Sequence, residues 1–309
     1  MLAAISYPPI PIWDLGPLQF SLHGLFAALG FIAGGWLATR ELDRRGYDTV
    51  AYQSVLTWAI VGALLGARYL TSPAQLLDGA SLGQALNPFG GNFSIMGGFA
   101  GGILAGWWRM RRVDLPRPAV FDASSFGLAL GTIVGRIGDL AIVEHLGSPT
   151  SVAWGYGILP GYDVAPQHDA LECTAAAALP SGLCPVPGTT DPGIYHHVAA
   201  YDLLGAVLTI AFLYVLSRRA RLHYGQLFSV WVIWYGLQRF LLDFLRFGNG
   251  DATLGAFTWN QISGLAGALL GIVLLMRFRR NPVVTPEEDQ RANAARLAAA
   301  NVRFSSSGR

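Results

Sequence analysis

The stretch Gly131–Gly155, GTIVGRIGDLAIVEHLGSPTSVAWG, sets Arg136, Asp139 and Glu144 into a run that is otherwise apolar and rich in glycine. Guanidinium and carboxylate groups are costly to desolvate in such a run, so they face a bundle interior. On a helix Arg136 and Asp139 share one face, with Glu144 about two turns beyond Arg136. Two readings stand: an ion pair tying two helices together, or part of an anion site. A second stretch, VWVIWYGLQRFLLDFLRFGNG, places Tyr235, Arg239, Asp243 and Arg246 at intervals of four, four and three. That spacing makes one polar stripe on an apolar helix. One carboxylate between two arginines leaves surplus positive charge. A planar guanidinium fork suits phosphate, and the phosphate available at membrane depth is a lipid headgroup.

The elements that must carry these residues are membrane helices. Only 13% of the 309 residues are charged and 52% are hydrophobic, whereas a soluble chain carries about a quarter charged residues. The apolar residues fall into blocks of bilayer-spanning length. These predict an all-α polytopic bundle of seven spans: Leu22–Thr39, Tyr52–Leu70, Phe93–Met110, Phe121–Val143, Val198–Leu216, Leu227–Leu245 and Phe257–Arg277. Residues 1–282 form the membrane domain, with an outer insertion at about 144–197, and 283–309 a cytoplasmic tail. The first residues lack a basic run and are Pro-rich, so no cleaved signal peptide is expected.

Every one of the 21 basic residues is arginine. Clusters at Arg40–Arg45, Arg109–Arg117, Arg218–Arg221 and Arg277–Arg280 follow alternate spans. Basic residues mark the cytoplasmic side, which puts the N-terminus outside and the C-terminus inside. Apart from the tail, that leaves Arg68, Arg136, Arg239 and Arg246, each toward the outer end of its span. A shared anionic pocket is the reading preferred over separate ion pairs.

Other features are weaker. SIMGGFAGGILAG sets Gly97, Gly98, Gly101, Gly102 and Gly106 on one short span, a pattern that permits close helix contact and approach of a headgroup. Cys173 and Cys184 in the outer insertion can pair outside the cell. His168, Asp169 and Glu172 match no metal spacing, so no metal is expected. His196, His197, Tyr201 and Asp202 lie at the outer mouth of the fifth span, suited to hydrogen bonding at headgroup level. Thr285-Pro286-Glu287-Glu288 opens a short capped helix. Nothing in the charge pattern points to nucleic acid.

Taken together these residues resemble the bacterial prolipoprotein diacylglyceryl transferases over nearly the whole chain. The strongest element is GRIGDLAIVEHLG, where Gly135, Arg136, Gly138, Glu144 and Gly147 match the family signature. LHGLFAALGFIAGGWLATRE at Leu22–Glu41, LLGARYL around Arg68, YGLQRFLLDFLR at Tyr235–Arg246, and Tyr201-Asp202 in place of a Tyr-Glu pair are also similar. The resemblance implies a multi-pass protein of the bacterial cytoplasmic membrane. It would move a diacylglyceryl group from phosphatidylglycerol to the lipobox cysteine of a secreted prolipoprotein, with glycerol phosphate as leaving group and no cofactor. By position, Arg136 and Arg239 would hold the phosphate, and Glu144 and Asp243 would orient them or the glycerol hydroxyl. Tyr235 and Arg246 would support that shell. Arg68, Asp139, Gly97, Gly98, Tyr201 and His196 would line the lipid and substrate site.

The chain departs from the family at defined positions. Met96 precedes Gly97-Gly98 where the family has His-Gly-Gly, and methionine takes no proton. Asp139 replaces the signature Asn, and His23 stands where the family has Tyr. His23 is therefore expected either to have taken over the base from a neighbouring helix or to hydrogen-bond in place of Tyr. Besides a working transferase, two readings are open: a relative that only binds anionic lipid or precursor, and an anion transporter.

Overall fold

The computed structural model describes residues 5–10, 13–15, 18–20, 22–77, 79–87, 95–162, 173–246, 253–254, 256–283, 285 and 287–295. Each of the seven expected apolar blocks contains a helix: α1 (Leu22–Arg44), α2 (Thr49–Tyr69), α5 (Ile95–Met110), α6 (Arg117–Ile142), α7 (Val198–Arg219), α8 (Gln226–Asp243) and α9 (Trp259–Phe278). Two short helices, α3 (Ser72–Leu77) and α4 (Leu82–Leu86), follow α2. Among the described residues, α1, α2, α6, α7 and α9 are long and apolar enough to cross a membrane. With its 16 residues α5 is about 24 Å long, short of a bilayer core of about 30 Å. Large apolar side chains stand exposed along the helices, Phe31 and Ile32 at 69% and Leu104 at 68% among them. Such faces are stable against lipid rather than water. The chain is a polytopic helical membrane protein.

Two compact units divide the chain. The first comprises residues 38–123 and 284–309. Its centre is the pairing of α2 with α5, made possible by residues without bulk. A Cβ on Gly66 would strike the Gly97 carbonyl, and one on Gly62 the Gly101 carbonyl. Ala38, Leu42, Tyr52, Val55, Met110 and Val120 form the buried apolar cluster. Asp48 caps α2 by accepting from the Ala51 N–H at 3.0 Å. The expected tail helix is present over 287–295, opened by a reciprocal box in which Thr285 and Glu288 each bond the other's backbone N–H. Tyr47 donates to Asp289 at 3.0 Å and Asn293 to the Arg45 carbonyl at 2.7 Å.

The second unit comprises residues 1–37 and 124–283. Here the start of α1 lies against α6 with Gly34 facing Gly127 and Gly30 facing Gly131. α8 packs on α9 through Gly236, Gly264 and Gly271. Strands β1 (Trp13–Leu15) and β2 (Leu18–Phe20) pair ahead of α1, and between α6 and α7 a small antiparallel sheet forms from β3 (Leu146–Pro149), β4 (Tyr156–Gly157) and β5 (Ile194–His197), in the order β3-β5-β4. Val143, Leu146, Tyr156, Ile158, Cys184 and Tyr195 pack beneath it, and a Cys173–Cys184 disulfide ties the insertion. The segment before α1 is bound to this sheet, with Ile5 N–H donating to the Gly155 carbonyl and the Tyr156 hydroxyl to the Tyr7 carbonyl.

Candidate functional site

α6 carries the central guanidinium. Arg136 Nη1 donates to Asp139 one turn further on, and Nη2 lies 2.6 Å from Asp202 Oδ2 near the start of α7. The ion-pair reading of Arg136 is thus realised twice over, locally and across to a second helix. Asp202 is 6% exposed and accepts a further hydrogen bond from Gln238 of α8, whose Oε1 accepts from Trp234. A cavity of about 10 Å³ lies between α6, α7 and α8, lined by Thr132, Thr209, Tyr235 and Gln238, which is room for about one water.

His23, in the first turn of α1, places Nδ1 2.5 Å from Asp139 Oδ1 and 3.4 Å from Glu144 Oε2. Gly138 permits this approach. A Cβ there would sit 2.7 Å from Phe26 Cβ and 3.2 Å from His23 Cα. The signature glycine therefore sets how closely α1 can bring His23 to the carboxylates. Glu144 itself is turned back after α6 by two left-handed residues on either side, Val143 at φ 56° and His145 at φ 63°. A branched residue in that region is strained by about 1–3 kcal/mol. The strain is offset by burial of Val143 and by the Glu144 N–H bond to the Asp139 carbonyl at 2.9 Å. Burial holds the Glu144 carboxyl above its ordinary range, with Asp139 adding to the effect and His23 and Arg136 opposing it.

Beyond Glu144, His145 meets Arg246 at 3.2 Å, and Arg246 stands 3.9 Å from Asp243. Burial and the charges of Arg246, Arg136 and Arg239 push the His145 imidazole down to about 4, against the opposing charge of Asp139. Three of the four arginines that stand apart from the basic clusters therefore act on one imidazole. Asp243 is buried and accepts from the Thr258 hydroxyl. Gly147 lets β3 lie against the end of α8: a Cβ there would strike the Leu245 carbonyl, and Ser148 N–H donates to that carbonyl at 2.7 Å.

Arg239 differs from the rest. It is half-buried, and among the described residues it has neither a carboxylate nor a hydrogen-bond partner. The stripe expected on one helix holds for Tyr235, Arg239 and Asp243 only: α8 ends at Asp243, and Arg246 lies beyond it in a bridge to Gly147, from where it meets Asp243 and His145. Tyr235 stands 38% exposed on the same helix.

At the start of α7, Tyr201 bonds His196 Nδ1 at 3.1 Å and accepts from Trp154 Nε1 at 3.1 Å. Burial lowers the His196 pKa. His197 Nε2 meets the Tyr7 hydroxyl at 2.8 Å, and burial pushes its imidazole down to about 4.

Arg68 belongs to the other unit. It is 3% exposed and donates to the carbonyls of Asn87 at 2.6 Å and Gln84 at 3.1 Å, with Nη1 buried and without a partner among the described residues. Gly97 serves the α2–α5 contact directly, and a Cβ on Gly98 would meet Ala67 at 3.5 Å. The Met96 side chain, and His168, Asp169 and Glu172, lie outside the described residues.

Sequence reading placed Asp202 only at the outer mouth, and did not single out Gln238, His145, Thr258 or Tyr7. The available signal for Asp202 was its position, an acid where the family carries Glu after Tyr. No spacing rule joins Tyr7 to His197 or Thr258 to Asp243.

Comparison with known proteins agrees with this architecture. The model of the family described as prolipoprotein diacylglyceryl transferase matches residues 11–277. A Mycobacteroides abscessus protein named phosphatidylglycerol–prolipoprotein diacylglyceryl transferase is 27% identical over 290 residues, covering 91% of this chain and 81% of the relative. A Frankia alni protein of the same name is 27% identical over 94% of this chain and 72% of its own length. One from Mycobacterium tuberculosis is 27% identical over 90% of this chain and 59% of its own length. With its matched span covering most of its length, the chain belongs to the prolipoprotein diacylglyceryl transferase family.

Proposed function

We propose that this chain transfers a diacylglyceryl group from phosphatidylglycerol to the lipobox cysteine thiol of secreted prolipoproteins. It acts in the bacterial cytoplasmic membrane, as a seven-span protein with the N-terminus outside and the C-terminus inside. The observation that carries this reading is Arg239: a half-buried guanidinium on α8 without a carboxylate or hydrogen-bond partner among the described residues, while Asp243 of the same helix is engaged by Thr258. A buried cation left in that state is costly until an anion meets it.

In the reaction the thiol sulfur attacks the glyceryl carbon bearing the phosphate ester. The C–S bond forms, the C–O bond breaks, and its electron pair leaves on the phosphate oxygen of glycerol phosphate. Arg239 and Arg136 stabilise the charge that collects there. Arg136 has donors to spare, since a guanidinium offers five N–H groups and Asp139 and Asp202 engage two of its nitrogens. Asp139 and Asp202 fix its plane. Asp243 and Glu144 orient the glycerol hydroxyls, and Tyr235 and Arg246 complete that wall. Tyr201 and His196 face the headgroup at the outer mouth. His23 activates the thiol from the point where its Nδ1 meets Asp139 and Glu144.

The test is to incubate purified protein with phosphatidylglycerol and a lipobox peptide. The expected result is a peptide heavier by one diacylglyceryl group, with release of glycerol phosphate. Folded protein that leaves the peptide unmodified would overturn the reading. Labelling of an Arg291→Cys variant by an impermeant reagent only from the cytoplasmic side checks the orientation.

A further inference from the structure

We propose that His145 is a specificity-determining residue, whose Nε2–H reads a headgroup hydroxyl together with Glu144 Oε1. The pair selects a phospholipid with an alcohol in its headgroup, such as phosphatidylglycerol, over anionic lipids without one. This rests on the transferase reading and adds to it a residue that the reading leaves idle.

The local chain puts the imidazole in place. Beyond the end of α6, Val143 and His145 take left-handed backbone at φ 56° and 63°, on either side of Glu144. Residues other than glycine are uncommon there, and such turns gather at functional sites. Leu146 then opens β3. The bridge between Gly147 and Arg246, with Ser148 N–H donating to the Leu245 carbonyl at 2.7 Å, brings Arg246 to the imidazole. Arg246 Nη2 lies 3.2 Å from His145 Nδ1, although the two residues are 101 apart in sequence.

That contact fixes the tautomer. A guanidinium donates and never accepts, so Nδ1 is the accepting nitrogen and Nε2 carries the proton. Burial and the charge of Arg246, with Arg136 and Arg239 adding, outweigh Asp139 and keep the ring neutral, at a pKa of about 4. His145 is therefore a fixed donor at neutral pH. Among the described residues Nε2 makes no hydrogen bond. It faces Glu144 Oε1 at 3.9 Å, beyond hydrogen-bond range, while Glu144 Oε2 turns to His23 Nδ1 at 3.4 Å. Both side chains stay within reach of a ligand, with exposures of 23% and 17%.

A donor and an acceptor set apart in this way match one kind of group. An oxygen about 2.8 Å from each closes the gap. It must accept from Nε2–H and donate to the carboxylate, and an alcohol does both through one atom. An ammonium group has no lone pair for Nε2–H and meets repulsion from the arginines. An alkyl headgroup leaves both polar atoms without a partner once water is displaced, which is how a site built for a hydroxyl rejects the analogue lacking it. With Arg136 and Arg239 on the phosphate, the phosphate gives retention and the hydroxyl gives selection.

The experiment gives full-length protein in detergent a lipobox peptide and either phosphatidylglycerol or phosphatidylethanol with the same acyl chains. These lipids carry the same phosphodiester charge and differ in headgroup hydroxyls. Wild type is expected to favour phosphatidylglycerol at least about tenfold in kcat/KM, chiefly through KM. In His145→Leu, which removes the donor, that ratio is expected to fall at least about fivefold. His145→Gln, whose amide can accept from Arg246 and donate toward Glu144, is expected to restore most of it. A merely structural role would slow both lipids together and leave the ratio in place. Native mass spectrometry of wild type in an equimolar mixture needs no variant to fold, and is expected to show phosphatidylglycerol retained in preference. Equal use and equal retention of the two lipids by wild type overturn the hydroxyl site and leave the transferase standing, as does an unchanged ratio in folded His145→Leu. Folded wild type that transfers from neither lipid overturns the transferase reading. Retention then decides the hydroxyl site by itself: a preference for phosphatidylglycerol that His145→Leu loses supports it, and equal retention overturns it as well.

Discussion

Arg136 Nη2 meets Asp202 Oδ2 at 2.6 Å, joining the C-terminal part of α6 to the start of α7. Both groups are largely withdrawn from solvent, with side-chain exposures of 19% and 9%. Removing one partner of such a pair leaves the other charge uncompensated, at a cost of about 3–5 kcal/mol. Asp202→Asn is therefore expected to lower the unfolding temperature in detergent and to reduce transfer at least a hundredfold by freeing the plane of Arg136. Asp202→Glu, which keeps the charge, should retain most of the stability. Equal behaviour of the two variants would show that the ion pair does not hold the site.

The glycines of the second unit separate into two kinds. At Gly138 a Cβ would press on Phe26 and the His23 backbone, so Gly138→Ala is expected to destabilise by about 1–3 kcal/mol and to move His23 away from Asp139. At Gly135 a Cβ meets nothing within 4 Å. Gly135→Ala should therefore fold as well as wild type or better, by up to about 1 kcal/mol from helix propensity. If the open space is where lipid lies, the KM for phosphatidylglycerol rises. Denaturation midpoints and lipid-titrated kinetics of the two variants check both halves.

The sheet between α6 and α7 carries a pH-dependent contribution. His197 is 5% exposed, its Nε2 meets the Tyr7 hydroxyl, the Tyr156 ring packs on it, and Nδ1 is buried without a partner among the described residues. Burial depresses its pKa to about 4, against about 6.5 unfolded. The unfolded chain thus takes up the proton first. The stability from His197 is full above about pH 6.5 and declines as pH falls toward about 4, by on the order of 3 kcal/mol. The difference in unfolding temperature between wild type and His197→Gln should shrink between pH 7 and pH 4.5. A constant difference would refute the assignment.

The long helices were legible because lipid allows few alternatives: blocks of apolar residues of spanning length leave backbone groups no partner but one another. Tyr235, Arg239 and Asp243 on α8 were legible for a related reason, since their spacing is that of the helix, whereas Arg246 falls beyond its end. What the spacing of residues could not show is which partner each charge selects. Arg136 selects Asp202, a contact fixed by the packing of α6 on α7 rather than by any local pattern. His23 reaches Asp139 because Gly138 thins the α1–α6 contact, which makes the glycine legible as a signature and its consequence illegible. The left-handed turn around Glu144 carries no glycine to announce it. The short α3 and α4 follow from local capping, with Ser81 and Gln84 forming a reciprocal box at the start of α4, in a stretch too polar to read as a span.

The most direct test of the account concerns Arg239. Binding of phosphatidylglycerol and of zwitterionic phosphatidylcholine to purified wild type and Arg239→Ala can be compared by native mass spectrometry, with thermal unfolding as the control. The account predicts a preference for phosphatidylglycerol in wild type, lost by at least tenfold in the variant, while stability is unchanged or improved because no protein ion pair is broken. Undiminished preference in Arg239→Ala would contradict it.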